Sequence, residues 1–325
     1  MSKVNKFGLW DKNIQPKNIG GEALIEGVMM RGPKEMAIAV RKADGEIVIE
    51  KKPLRTLASK HKFFKTPIIR GAVGMFESLV LGMKAIMRSA EFVDIEEEEN
   101  DKPSKIDSFL EKVFGDKIQE IAIYISVIFA LMLGIGLFFL LPNFIAGLIK
   151  FNKDSFSGLL IYNLVEGVVR IGLFLGYIAL VSKMKDIQRV FEYHGAEHKT
   201  IHCYEHGEEL TVENVRKYTT RHPRCGTAFL FVVMIISILV FSFIGVHNML
   251  INVISRLLLI PLVAGISYEV IKFAGRSCHP VIRLVSMPGL MLQRFTTREP
   301  DDKQIEVAIA ALENVIVADK DAEKW

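Results

Sequence analysis

Four long apolar runs dominate the middle and end of the chain. Residues 121–149, 159–181, 227–246 and 249–274 are each long enough to cross a hydrocarbon core of about 30 Å as a helix. They pair into two helical hairpins, the first turning through 150–157 and the second near His247 and Asn248. Both short turns then lie on one side, with segment 182–226 on the other. That segment carries Lys183, Lys185, Arg189, Lys199, Arg216, Lys217, Arg221 and Arg224. The positive-inside rule makes its side cytosolic and places both termini there.

Outside the spans the pattern changes. Residues 20–33 are Gly-punctuated and partly alternating, and two short β-prone runs, 36–41 and 46–50, are joined through Asp44-Gly45, a hairpin signal because Gly tolerates the positive φ of a tight turn. Glu22 and Glu26 are either reactive carboxylates or the solvated face of a strand. Basic residues from Lys51 to Lys65, interleaved with Phe63 and Phe64, suit anionic headgroups. The run 68–87 is apolar but carries Arg70, Glu77 and Lys84, with Arg88 directly after it, which predicts an interfacial or re-entrant helix rather than a full span. Acidic residues 94–101 read as a solvated linker, and Ile106, Phe109, Leu110 and Val113 lead on toward the membrane. Pro300-Asp301-Asp302 opens a helix whose apolar stripe from Ile305 to Ile316 docks on the soluble part or on a second subunit.

The expected fold is mainly α: a polytopic helical membrane protein of about four transmembrane helices plus an interfacial helix, with a small cytosolic N-terminal part containing a β-hairpin. In order, the segments are 1–66, the cytosolic N-terminal part; 67–93, the interfacial helix; 94–118, the linker and lead-in; 119–182, the first hairpin; 183–226, a cytosolic His/Cys-rich segment; 227–275, the second hairpin; and 276–325, the cytosolic C-terminal segment.

Composition agrees with this. Half of the 325 residues are hydrophobic and mean hydropathy is +0.29, more apolar than a soluble enzyme of this size. A net charge of +4 gives no footprint for nucleic acid. Three cysteines at irregular spacing make no disulfide framework and fit a reducing compartment or metal ligation. The Lys-rich stretch before residue 18 has no apolar core of the kind a signal peptide needs.

The chemistry concentrates between His194 and Cys225, where five of the eight histidines and two of the three cysteines lie. His194-Gly-Ala-Glu197-His198 reads H-x-x-E-H, the order of zinc-binding residues in inverzincin peptidases. His residues four apart share one helix face, roughly 6 Å apart, with Glu197 close to it. His202 lies about 12 Å along the axis from His194, too far to share its ion, although it can pair with His198. His222 and Cys225, on a loop kinked by Pro223, are the nearest candidates for a third ligand. Glu269 is another, by analogy with the distant Glu ligand of inverzincins. Cys203, Cys278 and His279 are further candidates, the last two because they return to the cytosolic side after the final span. Within the spans, Glu166 and Arg170 stand four apart, and such charges either form a locking ion pair or line a polar path.

The blocks 20–33, Tyr193-His-Gly-Ala-Glu-His-Lys199, Arg221-His-Pro-Arg-Cys-Gly-Thr227 and 288–301 together resemble the YqhQ family of bacterial membrane proteins, a domain of unknown function (1385). The resemblance spans about residues 19–317. It implies a multi-pass protein of the bacterial cytoplasmic membrane, described as a metal-dependent enzyme with no established reaction, and it brings no functional residues with it.

Two main readings follow. In one, the protein is a membrane-bound, metal-dependent hydrolase at the cytosolic face. His194 and His198 then hold zinc, iron or another divalent transition metal, with His222, Cys225 or Glu269 completing the site and Glu197 as general base. In the other, it is a non-enzymatic membrane scaffold or assembly factor that binds a membrane-protein or peptide partner, with a structural metal or none. An oligomeric transporter or channel, with Glu166 and Arg170 lining it in a homo-oligomer, is a weaker third. Thiol coordination favours a closed structural site, Gly195 weakens its helix by about 1 kcal/mol relative to Ala, and the strand pattern of an inverzincin fold is missing.

Overall fold

A computed structural model describes residues 16–57, 61–93, 118–149, 155–243, 249–276 and 279–317. The acidic run 94–101, the lead-in helix, most of the first turn (150–154), His247, Asn248, Cys278 and the tail from Asp319 lie outside the described residues. The chain divides into two compact units, one of Met1–Asp94, Gly176–Val240 and Leu258–Trp325, the other of Ile95–Leu175 and Phe241–Leu257.

The first unit is built on a four-stranded antiparallel meander, β1 (Gly20–Leu24), β2 (Gly27–Arg31), β3 (Glu35–Arg41) and β4 (Ile47–Pro53). The expected hairpin is β3–β4. Its turn has Gly45 at φ 90°, and Asp44 Oδ1 accepts from the Glu46 N–H at 2.9 Å. A second hairpin, β1–β2, turns through Ile25 and Glu26 without a glycine, so Glu26 itself takes φ 49°. Both sheet faces are covered. Val28, Met30, Ala37 and Ala39 face one core with helices α5 (Lys185–Glu205) and α10 (Asp302–Glu313), while Leu24, Met29, Ile38 and Val40 face another with Ala85 of α1 (Ile69–Phe92). A sheet buried on both faces needs continuous apolar strands, which is why β2 and β3 show little alternation.

Helix α1 turns small residues Gly71, Gly82, Ala85 and Ser89 inward and leaves Phe76, Leu79, Met83 and Ile86 exposed. Its start is pinned by Arg70, which donates to the Glu269 carboxylate at 2.7 and 2.5 Å, and by the Ile68 N–H at 3.3 Å. Ile68 holds φ 69°, a costly value for a β-branched residue. The Ile68 carbonyl lies 2.3 Å from where a Cβ on Gly265 would stand.

Among the described residues, three helices are long and apolar enough to cross a membrane: Ile125–Gly147, Ser157–Val181 and Leu250–Ala274. The first runs from α2 (Ile118–Ile135) through a π-helical turn at Gly136–Leu140 into α3 (Leu141–Gly147); the others belong to α4 (Phe156–Val181) and α8 (Met249–Arg276). The fourth expected span appears as α7 (Gly226–Ser242), a shorter apolar helix whose 17 described residues reach about 25 Å at 1.5 Å each, at the lower end of the lengths that cross a bilayer. Phe129, Met132, Leu180 and Leu258 are exposed on these helices, as lipid-facing side chains would be.

In the second unit Glu166 and Arg170 form an intrahelical ion pair at 2.5 Å, one of the two arrangements expected of them, and Arg256 joins through the same Oε1. Arg170 Nε also donates to the Phe138 carbonyl in the π turn at 2.8 Å. A π turn shifts the main-chain ladder and frees such acceptors.

Candidate metal centre

All the groups that gather around the H-x-x-E-H helix belong to the first unit. Helix α5 presents His194, Glu197, His198, His202 and Glu205 at intervals of three and four, a single face. The segment between α6 (Val212–Arg216) and α7 carries His222, Arg224 and Cys225 to that face, and α9 (Pro280–Thr296) backs it. Gln293 of α9 grips His222 at both ends of its peptide unit, accepting from its N–H and donating to its carbonyl, each at 2.8 Å.

His194, His198 and Cys225 form one group whose ligand atoms lie within 4.8 Å of each other. Cys225 Sγ is 3.2 Å from His194 Nε2. Neighbouring donors of one tetrahedral zinc stand about 3.3–3.7 Å apart, given bonds of about 2.0–2.3 Å. The far sides of both rings are tied down, His194 Nδ1 to the Thr296 carbonyl at 2.7 Å and His198 Nδ1 to the Thr220 carbonyl at 2.6 Å. A carbonyl accepts only, so each Nδ1 carries the hydrogen and each Nε2 keeps its lone pair, as metal-binding imidazoles require. Cys225 precedes α7, and its sulfur accepts the Thr227 N–H at 3.4 Å. Burial pushes the thiol up, but the neighbouring His198 and Thr227 outweigh it and bring it below its usual value.

Glu197 Oε2 lies 3.8 Å from His194 Nε2 and 3.6 Å from His198 Nε2. Its carboxyl is pushed up to about 8, chiefly by burial, while burial lowers His198 to about 4. Glycines make room for this helix. A Cβ on Gly21 would stand 2.6 Å from Glu197 Cγ, and one on Gly195 would stand 1.9 Å from the Arg298 carbonyl oxygen. Gly195 therefore costs helix propensity but permits the close approach of the 297–298 segment, whose Arg298 N–H donates to the Phe191 carbonyl at 2.9 Å. The group opens onto a cavity of about 510 Å³ lined also by Glu22, Arg31, Ser78 and Leu81. Burial raises the Glu22 carboxyl.

His222 and His202 do not join this group. With Glu205 they form a second, fully buried one. Glu269 is drawn into the α1 anchor described above. Cys203 is a core side chain, its sulfur 3.5 Å from the Glu209 carbonyl and its thiol raised by burial to about 11. His279 is exposed and caps α9, accepting from the Val281 N–H at 3.3 Å. Glu26, at the positive-φ turn, receives Arg189 in a double contact and the Tyr193 hydroxyl at 3.1 Å, which anchors the sheet to α5. Glu205 and Arg224 were not singled out from sequence. Glu205 could have been, because H-x-x-E occurs twice on α5, as His194–Glu197 and again as His202–Glu205.

The four sequence blocks noted above thus converge on one region of the fold. Residues 66–318 match the family Protein of unknown function (DUF1385). The chain is also 33% identical over 310 residues to "Uncharacterized protein YqhQ" of Bacillus subtilis (strain 168), covering 94% of each chain. This chain belongs to that family. No solved structure matches it. Among the described residues, the DUF1385 region takes in the two metal-type groups and the three membrane-length helices, whereas β1–β4 precede it.

Proposed function

We propose that the protein is a membrane-bound, metal-dependent hydrolase acting at the cytosolic face of the bacterial cytoplasmic membrane, with four spans and both termini inside. The observation that carries this reading is the His194–His198–Cys225 group at the wall of a cavity, with the Glu197 carboxylate within 4 Å of both imidazoles. The donor set suits a borderline transition ion such as zinc. Held there, the ion would supply Lewis acidity to a carbonyl or phosphoryl oxygen. Glu197 takes the proton from the attacking water, and its burial holds its affinity for that proton close to neutral pH. Gly21 and Gly195 fix the carboxylate and helix in place.

The apolar outer face of α1 supports a substrate drawn from the membrane surface, a lipid or a membrane-associated peptide, because the same helix lines the cavity with Ser78 and Leu81. The test is to incubate vesicle-reconstituted protein with lipid and peptide extracts and to seek products that have gained one water, by mass spectrometry. The reading requires such a product from the wild type and its loss in Glu197→Gln. Identical product profiles from the two proteins contradict it.

A non-enzymatic scaffold with a structural metal is the second reading, and the observation favouring it is the thiol in the donor set.

A further inference from the structure

We infer that His202, Glu205 and His222 form a second metal site, distinct from the His194–His198–Cys225 group and structural in role. Their ligand atoms lie within 4.8 Å of each other and all three residues are buried. His222 Nε2 and Glu205 Oε2 are 3.7 Å apart. That is too long for a hydrogen bond and right for two ligands of one ion. Glu205 Oε2 is buried without a hydrogen-bond partner, a costly state for a carboxylate oxygen, and a cation between it and the imidazoles removes the cost.

The neighbours set the donors. Arg224 and the Lys17 N–H occupy Glu205 Oε1 and leave Oε2 to the site. His202 Nε2 donates to the Arg221 carbonyl at 2.8 Å, so Nδ1 keeps the lone pair. Gln293 holds the His222 backbone from both sides. Two neutral nitrogens and one carboxylate oxygen, beside the Arg224 guanidinium, favour a borderline ion such as zinc over magnesium or calcium, which want oxygen-rich shells.

The group ties α5 to the segment that carries Cys225 three residues after His222. The rings of His222 and His198 are 5.4 Å apart, and those of His222 and His202 4.7 Å. The second ion would thus clamp the segment that delivers Cys225 to the first group.

The experiment is the metal stoichiometry of the purified full chain, by elemental mass spectrometry against protein concentration, in wild type, Glu205→Gln and His194→Ala/Cys225→Ser. The inference expects about two equivalents in the wild type and one in each variant. One equivalent in wild type and in Glu205→Gln, lost in the other variant, overturns the second site and leaves the proposed hydrolase standing. One equivalent lost only in Glu205→Gln keeps this site and removes the hydrolase centre. No metal in the wild type overturns both. Should Glu205→Gln not fold, anomalous scattering at the metal edge from wild-type crystals decides, with a peak among His202, Glu205 and His222 expected and its absence contradicting the site.

Discussion

The carbonyl oxygen of Arg298 lies 1.9 Å from where a Cβ on Gly195 would stand. The glycine inside H-x-x-E-H is therefore a packing requirement, and Gly195→Ala should destabilise the fold although Ala is the better helix former by about 1 kcal/mol. Backbone cannot give way cheaply, and overpacking of this kind costs about 1–3 kcal/mol. Thermal unfolding in detergent should show a lower midpoint for Gly195→Ala; an unchanged or raised midpoint would contradict the packing argument.

Gly21 stands in the same relation to Glu197, with Cγ 2.6 Å from its missing Cβ and the Met29 carbonyl at 2.9 Å. Gly21→Ala should push the carboxylate away from the imidazoles and reduce turnover by about 100-fold, the scale expected for a 1 Å misplacement. Metal content should be unchanged, because Glu197 is not one of the three donors.

Glu269 is held by Arg70 and Ile68. Glu269→Ala should leave metal content unchanged and release the start of α1, seen as faster proteolytic cleavage near Ile68. Loss of metal in this variant would restore Glu269 as a ligand.

Metal-stripped protein should have a characteristic pH dependence. His198 and His202 are lowered by burial to about 4, and His222 lies well below 6.5. The unfolded chain therefore binds more protons than the fold below about 6.5, and stability falls as pH drops from there toward 4. Glu197, raised by burial to about 8, acts oppositely: its contribution is present below about 4.5 and is lost as pH rises toward 8. Below 6.5 the three histidines outweigh the raised carboxyls of Glu197 and Glu22, whereas above it the lowered Cys225 thiol opposes those carboxyls. Chelated protein should therefore show a falling unfolding temperature as pH drops from 6.5 toward 4; an unchanged or rising one would contradict the buried neutral histidines.

How far the chain could be read in advance follows from which atoms carry the information. The helix face of His194, Glu197 and His198 is a matter of spacing along one element, and spacing is written in the residues. The β3–β4 hairpin announced itself through Gly45, whereas β1–β2 turns at Ile25 and Glu26 with no glycine and its strands are covered on both sides. Cys225 reached the first group as one of the alternatives named, but His222, two residues after Thr220 and equally plausible by distance along the chain, belongs to the other. Nothing in residue type separates them. The carbonyls of Thr220, Arg221 and Thr296 that set the imidazole tautomers are main-chain atoms, invisible to any motif. Glu269 rested on analogy, and distance along the chain did not say that its carboxylate turns to Arg70.

The most direct test of the central claim is the metal content of detergent-purified wild type beside a His194→Ala/His198→Ala double variant, measured by elemental mass spectrometry. The account predicts that the double variant loses about one equivalent of zinc or iron relative to wild type while remaining folded. Equal metal content in the two folded proteins, or none in the wild type, would contradict it.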